Sequence, residues 1–430
     1  MAGPLAGVRI LDCTEIIAAP YAAAMLSDLG AEVIKVEPVE GEPWRLQAQF
    51  VPLESRSFMQ LNRGKKGITL NLRDPQGRDI FYKLVPTADV LILNYRPDTP
   101  ARLGIDYETV SKINPQIVYV WNTAFGRKGP HANRPGYDII SQAYSGIMTS
   151  WGSERGGHPI TMATAIADFT SALIACWAVT TGLYDREKRG RGQLIDTSLL
   201  GTAMVLQPGR FFSIDQMDGE KIEGMKEGVR QARQEATSYA ELKELVNQVR
   251  TRGGQPTPDG SGNIYYRTYR CKDGYIAVGN LSAALRKKFQ VALGIEDPRY
   301  GGDPELAPAT EKGREIGVRL VQECEAKFHE RTVNEWLAHL DESGVPSGPV
   351  LFPEELWDDP QVQANGLIVE VEHANLGKVK MVGPPMSFSD TPAETANASP
   401  ALGQHTDEVL CELGYSQAQI ASFREAGVIR

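Results

Sequence analysis

Five short apolar runs, at residues 8–11, 33–36, 68–72, 90–93 and 117–121, alternate with segments of helical spacing along the N-terminal part of the chain. This alternation restricts the fold more than any other feature. Strand-length runs rich in Val, Ile and Leu, each separated from the next by a helix, make βαβ units. Such units assemble a parallel sheet covered by helices on both faces. The helices have legible ends. One spans 18–29, has Pro20 in its first turn, where a fixed φ is tolerated, and stops at Gly30. Another opens at Asp74-Pro75 and runs to about residue 85, and a third covers 107–113. The turn after the first strand reads Glu15-Ile16-Ile17-Ala18-Ala19-Pro20, with no G-x-G-x-x-G, so a dinucleotide site of the usual kind is not expected. Ligands of parallel sheets lie beyond the C-terminal strand ends, which here are residues 12–17, 37–40, 94–96 and 122–128.

At 430 residues the chain is too long for one core, so two domains are expected, one of them split by the other. The character changes over 207–252, which is rich in Gly, Glu, Lys and Arg and holds a charged helical stretch at 230–250. A Gly/Pro-rich loop follows at 251–262, whose glycines suit either a flap over a site or a plain surface loop. Residues 264–278 alternate around a Lys272-Asp273-Gly274 turn and read as antiparallel strands of a smaller domain. Helices are expected at 281–293, 311–328 and 332–342. After a linker marked by Pro346, Pro349 and Pro353 come strand-like segments at 367–372 and 377–382 and terminal helices at 405–414 and 416–426.

Composition excludes several classes. A net charge of −9 argues against nucleic-acid binding and against a polybasic membrane role, while leaving room for a local basic pocket. The five cysteines, Cys13, Cys176, Cys271, Cys324 and Cys411, are scattered and form no CxxC or Cys/His cluster. Neither a disulfide framework nor a metal site is suggested, and a cytoplasmic protein with reduced thiols is expected. No signal-peptide pattern opens the sequence, and the longest apolar run, within 172–179, is far below the roughly 20 residues of a membrane span.

The stretch ATAIADFTSALIACWAVTTGLYDREKRGRGQLIDT, residues 163–197, carries the chemical question. A lone acid, Asp168, precedes a long apolar helical run, a basic glycine-containing turn and a β-prone segment. An acid at a helix start is either a cap or a reactive group. Unpaired N–H groups and the helix dipole there favour the ionised form.

The chain resembles the family III CoA-transferases, the CaiB/BaiF group. The resemblance rests on residues 5–38, on NRGKKGITLNL at 62–72, on ADVLILNYRPDTPARLGIDY at 88–107 and on RPGYDIISQAYSG at 134–146. It continues through Asp168 and GRGQLIDTSL at 190–199 into GVPSGPV at 344–350, DDPQV at 358–362, GPPMSFSDTP at 383–392 and LGQHTDEVLCELG at 402–414. It implies an α/β fold: a Rossmann-like large domain from both chain ends, a smaller α+β domain and two linkers, with two chains interlocked as a homodimer. On this sequence the large domain takes 1–205 and 361–430, the small domain 226–343, and the linkers 206–225 and 344–360.

The resemblance also implies the chemistry, which moves CoA from an acyl-CoA to a free carboxylic acid through covalent aspartyl intermediates. CoA is then substrate and product, and no cofactor is needed. Asp168 is the implied nucleophile. Arg63, Lys66, Arg73, Arg96 and Arg102 are the implied partners of the CoA phosphates, with Lys35 either a further such cation or a residue facing solvent. Ile16, Leu72, Asn94 and Tyr95 match contacts to adenine and pantetheine, and Tyr137 and Asp138 sit near the active site. Ser171 stands where many relatives have Gly, and Pro38 where some have Arg. The racemases of the family pair the aspartate with a histidine in a GHD sequence. Here that sequence is Gly136-Tyr137-Asp138, and a phenol with a pKa near 10 is a poor base. A transferase is therefore expected over a racemase, and an intramolecular CoA shift on the same machinery stays an alternative. A non-catalytic CoA-binding scaffold is the reading from outside enzymology.

Overall fold

The computed structural model describes residues 3–252 and 262–430; Gly253, Gly254 and Gly260, considered above as part of a flap, lie outside them. The chain forms two compact units. The first comprises Met1–Asp218, Ser238–Ala240 and Gln361–Arg430, and the second Gly219–Thr237 and Glu241–Pro360.

The first unit is built on strands β1 (Arg9–Cys13), β2 (Glu32–Glu37), β3 (Lys66–Thr69), β4 (Val90–Leu93) and β5 (Val118–Thr123), a short hairpin of β6 (Glu154–Arg155) and β7 (His158–Pro159), and β8 (Leu194–Ser198). Six of these make one sheet in the order β3-β2-β1-β4-β5-β8, every pairing parallel. The order reverses between β1 and β4. The loops leaving these two strands must therefore diverge, and they open a crevice at the C-terminal edge.

Alternate residues of each strand enter separate cores. Leu11, Cys13, Ile34, Val36, Leu91, Leu93, Tyr119 and Trp121 pack on one face with Ile80 and Phe81 of helix Pro75–Leu84 and with Leu410 and Ile420 of the two C-terminal helices. Ile10, Val33, Val90, Ile92, Val118 and Val120 pack on the other with Ala19, Ala23 and Leu26 of helix Ala18–Asp28 and with Val179 and Leu183. A strand buried on both faces favours apolar residues on both, which is why these runs are continuous rather than alternating, interrupted in β1 and β2 by the buried Asp12 and Lys35.

Val179 and Leu183 belong to helix Ile166–Arg189, which carries Asp168. Sequence reading put the longest apolar run far below a membrane span. The 24-residue helix is in fact long and apolar enough to cross a membrane by length and composition. Its Ala172, Ala175 and Val179 are fully buried, and Ala172 and Ala175 pack on Ala22 and Met25 of helix Ala18–Asp28. Small side chains on both helices allow this close approach, so the apolar content serves a core.

In the second unit, strands Tyr266–Arg270, Tyr275–Gly279 and Ser347–Pro349 form an antiparallel sheet. Its core stacks Tyr269 on Phe328, ring centroids 4.3 Å apart, beside Phe289 and Trp336. The charged stretch expected at 230–250 is two helices, Asp215–Glu235 and Tyr239–Arg252.

Candidate active site

Two cavities lie at the β1/β4 switch point, both within the first unit. One, of about 370 Å³, is lined by Glu15, Ile16, Ile17, Ala18, Asn94, Tyr95, Arg96, Tyr137, Asp168 and neighbours. The other, of about 630 Å³, is lined by residues of the 36–43 segment, by Leu70–Arg73 and by Arg102. Glu15, Tyr95 and Thr99 line both, so the two share a wall.

Asp168 occupies the third position of its helix and is 8% exposed. It is not the cap. Ala165 is the N-cap and makes no side-chain hydrogen bond. The orphan amides are satisfied from another helix instead. Oδ1 of Asp138, at the start of helix Asp138–Ser145, accepts from Ala167 N at 2.8 Å and from Asp168 N at 3.2 Å. Oδ2 of Asp138 is held by Gln142 Nε2, and Gln142 Oε1 accepts from Met162 N at 3.0 Å. The carboxylate of Asp168 itself accepts no hydrogen bond from any described residue. Fixed at its backbone and free at its oxygens, it faces the cavity.

The electrostatics correct the expectation of a strongly ionised acid. Burial, reinforced by the nearby Asp138, pushes the Asp168 carboxyl up to about 7. Asp138 takes the N–H groups and adds a like charge, so the helix end does not win. Asp138→Asn keeps an acceptor oxygen for the two amides and removes the charge. The acid limb of kcat/KM should then move to lower pH, by up to about one unit because burial is the larger cause. An unmoved limb would show that the two carboxylates are not coupled.

Ser171 is fully buried one turn further on. Asn122 Nδ2 donates to Ser171 Oγ at 2.6 Å and to Thr197 Oγ1 at 2.9 Å, tying the helix to the ends of β5 and β8. The hydroxyl that replaces a glycine thus has a partner.

The first βα turn is held residue by residue. Lys35 Nζ donates to Thr14 O at 2.9 Å. Asn94 accepts from Glu15 N at 3.0 Å and donates to Glu15 O at 2.7 Å. Glu42 Oε2 accepts from Ile16 N at 3.1 Å. Ile16 has a φ of 74°, a left-handed conformation rarely taken by a β-branched residue. Beneath the turn Asp12, Lys35, Glu37, Glu42, Arg45 and Lys65 form a buried charge network, with Lys65 Nζ 2.7 Å from Asp12 Oδ2 and Arg45 paired with Glu37. Burial pushes the Glu42 carboxyl up to about 7 and the Lys65 ammonium down to about 8.

Of the residues expected at the site, the structure brings Asp168, Ile16, Asn94, Tyr95, Arg96 and Tyr137 around the smaller cavity. Leu72, Arg73 and Arg102 line the larger one, as does Pro38. Three cations are elsewhere. Arg63 is 1% exposed and lines neither cavity. Its guanidinium pairs with Asp28 at 2.6 Å and lies over the Tyr21 ring. Lys66 opens β3 at the N-terminal edge of the sheet, opposite the crevice, and pairs with Glu32 and Glu408. Lys35 does not face solvent but is fully buried. Sequence reading missed the acceptor role of Asp138, the Asn122 brace and Glu42 altogether. Only Asp138 carried a signal, as an acid at a helix start.

The crevice thus sets a buried carboxyl, pushed up to about 7, beside a cavity lined by Arg73 and Arg102, a lining whose charge suits an anionic ligand. The chain belongs to CoA-transferase family III, whose model matches residues 5–406. It is 33% identical over 434 residues to human succinyl-CoA:glutarate CoA-transferase, covering 99% of this chain and 90% of that one. It is 31% identical to formyl-CoA:oxalate CoA-transferase of Rhodopseudomonas palustris, covering 99% and 97%. Among solved structures, a CAIB/BAIF family protein from Brucella suis is similar with a TM-score of 0.70 and 27% identity, over 96% of this chain and 100% of that one. A hypothetical protein from Mycobacterium tuberculosis is similar with a TM-score of 0.72 and 26% identity, over 95% and 99%. The protein is a CoA-transferase, moving CoA between acyl-CoA and carboxylic acids.

Proposed function

We propose that the protein transfers CoA between dicarboxylic acids, of which succinyl-CoA as donor and glutarate as acceptor are the leading pair, with Asp168 as covalent nucleophile. The relatives named for that pair supply the substrate class. The observation that carries the mechanism is the Asp168 carboxylate, fixed through its backbone amide, free at its oxygens and open to the cavity.

The cycle runs in four balanced steps. The Asp168 carboxylate attacks the thioester carbonyl, the C–S bond breaks, and CoA thiolate leaves a mixed anhydride. The thiolate attacks the aspartyl carbonyl, the anhydride C–O bond breaks, and the donor acid departs from an aspartyl-CoA thioester. The acceptor carboxylate then attacks this thioester and expels thiolate to give a second anhydride. Finally the thiolate attacks the acceptor's acyl carbonyl, giving the new acyl-CoA and restoring Asp168. Thioester energy is kept throughout, and no proton or electron is consumed. Oxyanions would find the N-terminal amides of helix Ala18–Asp28, whose N-cap Ile17 makes no side-chain hydrogen bond.

CoA would lie across both cavities, its phosphates near Arg73 and Arg102 and its thioester passing Tyr95 and Asn94 toward Asp168, with Ile16, Leu72, Arg96 and Tyr137 in contact. Arg63 and Lys66 are withdrawn from this role. In the cytoplasmic homodimer that we infer, two chains interlock through the linkers 206–225 and 344–360, with large domain 1–205 plus 361–430 and small domain 226–343. Exposed Phe211, Phe212 and Met217 on the first linker, and Trp177 and Tyr184 on the Asp168 helix, support burial against a second copy.

The test is an exchange assay with succinyl-CoA and a panel of free acids, in the parent and in Arg73→Ala/Arg102→Ala. We expect transfer to glutarate. In the double variant KM for acyl-CoA should rise about ten- to a hundredfold with kcat little changed, because phosphate contacts remote from the thioester bind ground and transition states alike. An unchanged KM would remove these arginines from the CoA site, and no transfer to any dicarboxylate would overturn the substrate class.

A further inference from the structure

We infer that Glu42 is a positioning residue for transfer at Asp168, acting from behind the cavity by locking the first βα turn in the shape that lines it. The inference rests on the reading of Asp168 given above. Glu42 lines neither cavity and is fully buried. Its Oε2 holds the Ile16 amide, and Lys35 Nζ is 3.6 Å from the same oxygen. Oε1 has no hydrogen-bond partner among the described residues.

Ile16 is where such a lock is needed. A β-branched residue at φ 74° is strained and persists only when its surroundings over-determine it. Released, the turn would relax toward an ordinary conformation and carry Ile17 and Ala18 with it. Both line the cavity beside Asp168, and Ala18 begins the helix whose amides point there. Asn94 and Lys35 fix Glu15 and Thr14, and Glu42 holds the next amide along, that of Ile16. A carboxyl oxygen held beneath the turn accepts from the Ile16 amide, and Lys35 Nζ lies 3.6 Å from the same oxygen. A glycine at 16 would adopt the same φ without strain and without the lock.

The experiment compares Glu42→Gln, Ile16→Gly/Glu42→Gln and Asp168→Asn in the full-length enzyme. Glu42→Gln keeps a weaker acceptor; kcat should fall about tenfold or more while KM for acyl-CoA changes less than about threefold, as displacement of a site-lining segment predicts. Ile16→Gly in that background should raise kcat above that of Glu42→Gln while KM for acyl-CoA rises through the lost Ile16 contact, a kcat rescue that a merely structural Glu42 would not show. Should Glu42→Gln not fold, hydrogen exchange at single-amide resolution on the parent decides. The Ile16 amide should exchange as slowly as the β1 amides, and a fast Ile16 amide would overturn the lock. Parent-like kcat in Glu42→Gln, or no rescue by glycine, overturns the inference alone so long as Asp168→Asn is inactive. Activity in Asp168→Asn overturns the reading of the site, and this inference with it.

Discussion

Asp168→Asn is expected to lower kcat about ten-thousand-fold or more and yet to yield a more stable protein. The loss follows from the chemistry. A carboxamide oxygen is a poor nucleophile and cannot form the anhydride or the aspartyl thioester, so both halves of the cycle stop. The gain follows from burial. Asp168 is 8% exposed and its carboxyl is raised from 3.8 to about 7, so in the native state ionising it works against desolvation and Asp138. A carboxyl raised on folding contributes stability that is fully present below its unfolded value and lost as pH rises through its folded value. The window here is pH 4 to 7, and the full span corresponds to up to about 4 kcal/mol. The asparagine variant lacks this loss. Its Tm should exceed the parent's by several degrees at pH 8, on the order of 2–4 °C per kcal/mol, with the difference vanishing near pH 4. Thermal melts at both pH values check the sign. Equal Tm at pH 8 would contradict the strained, desolvated acid.

Arg63→Ala should have the second largest effect, on stability instead of turnover. Removing one member of a buried pair leaves the other charge uncompensated, at a cost of about 3–5 kcal/mol. Asp28 is 1% exposed at its side chain and would retain only Thr395 Oγ1, at 2.8 Å, among the side chains now bonded to it. The pair joins the end of helix Ala18–Asp28 to the segment entering β3, and the guanidinium also covers Tyr21. The expected Tm drop is on the order of 10 °C, with KM for acyl-CoA within about twofold of the parent at a temperature where the variant is folded. A raised KM with an unchanged Tm would return Arg63 to the phosphate site.

The contrast between Arg63 and Arg73 shows what the sequence carried. Both lie within a few residues of β3 and are equivalent as charges. One faces a cavity and the other is buried because Asp28, 35 positions earlier, is folded against it. Local pattern has no access to that contact. Local pattern did carry the sheet, because strands buried on both faces are predominantly apolar, and apolar runs of strand length are visible without tertiary knowledge. The ligand-bearing strand ends followed from the sheet, and Asp168 from its place in a matched stretch, whereas the strand order and its switch point came only with the structure. What stayed hidden depends on long-range partners. Asp138 caps a helix 29 residues away. Asn122 reaches Ser171 and Thr197, and Glu42 holds Ile16. The direction of the Asp168 shift was misjudged for the same reason: the helix end could be read locally, but Asp138 occupying it could not. Ile16 carried a weak signal, as a β-branched residue in a tight first turn where glycine is usual.

The most direct measurement is mass spectrometry of the enzyme incubated with succinyl-CoA and quenched with hydroxylamine, which converts an aspartyl thioester or anhydride to a hydroxamate. A hydroxamate is expected on the peptide carrying Asp168, formed only when acyl-CoA is present and absent from Asp168→Asn. An unmodified Asp168 in enzyme that is turning over, or a hydroxamate on a different acid, would contradict it.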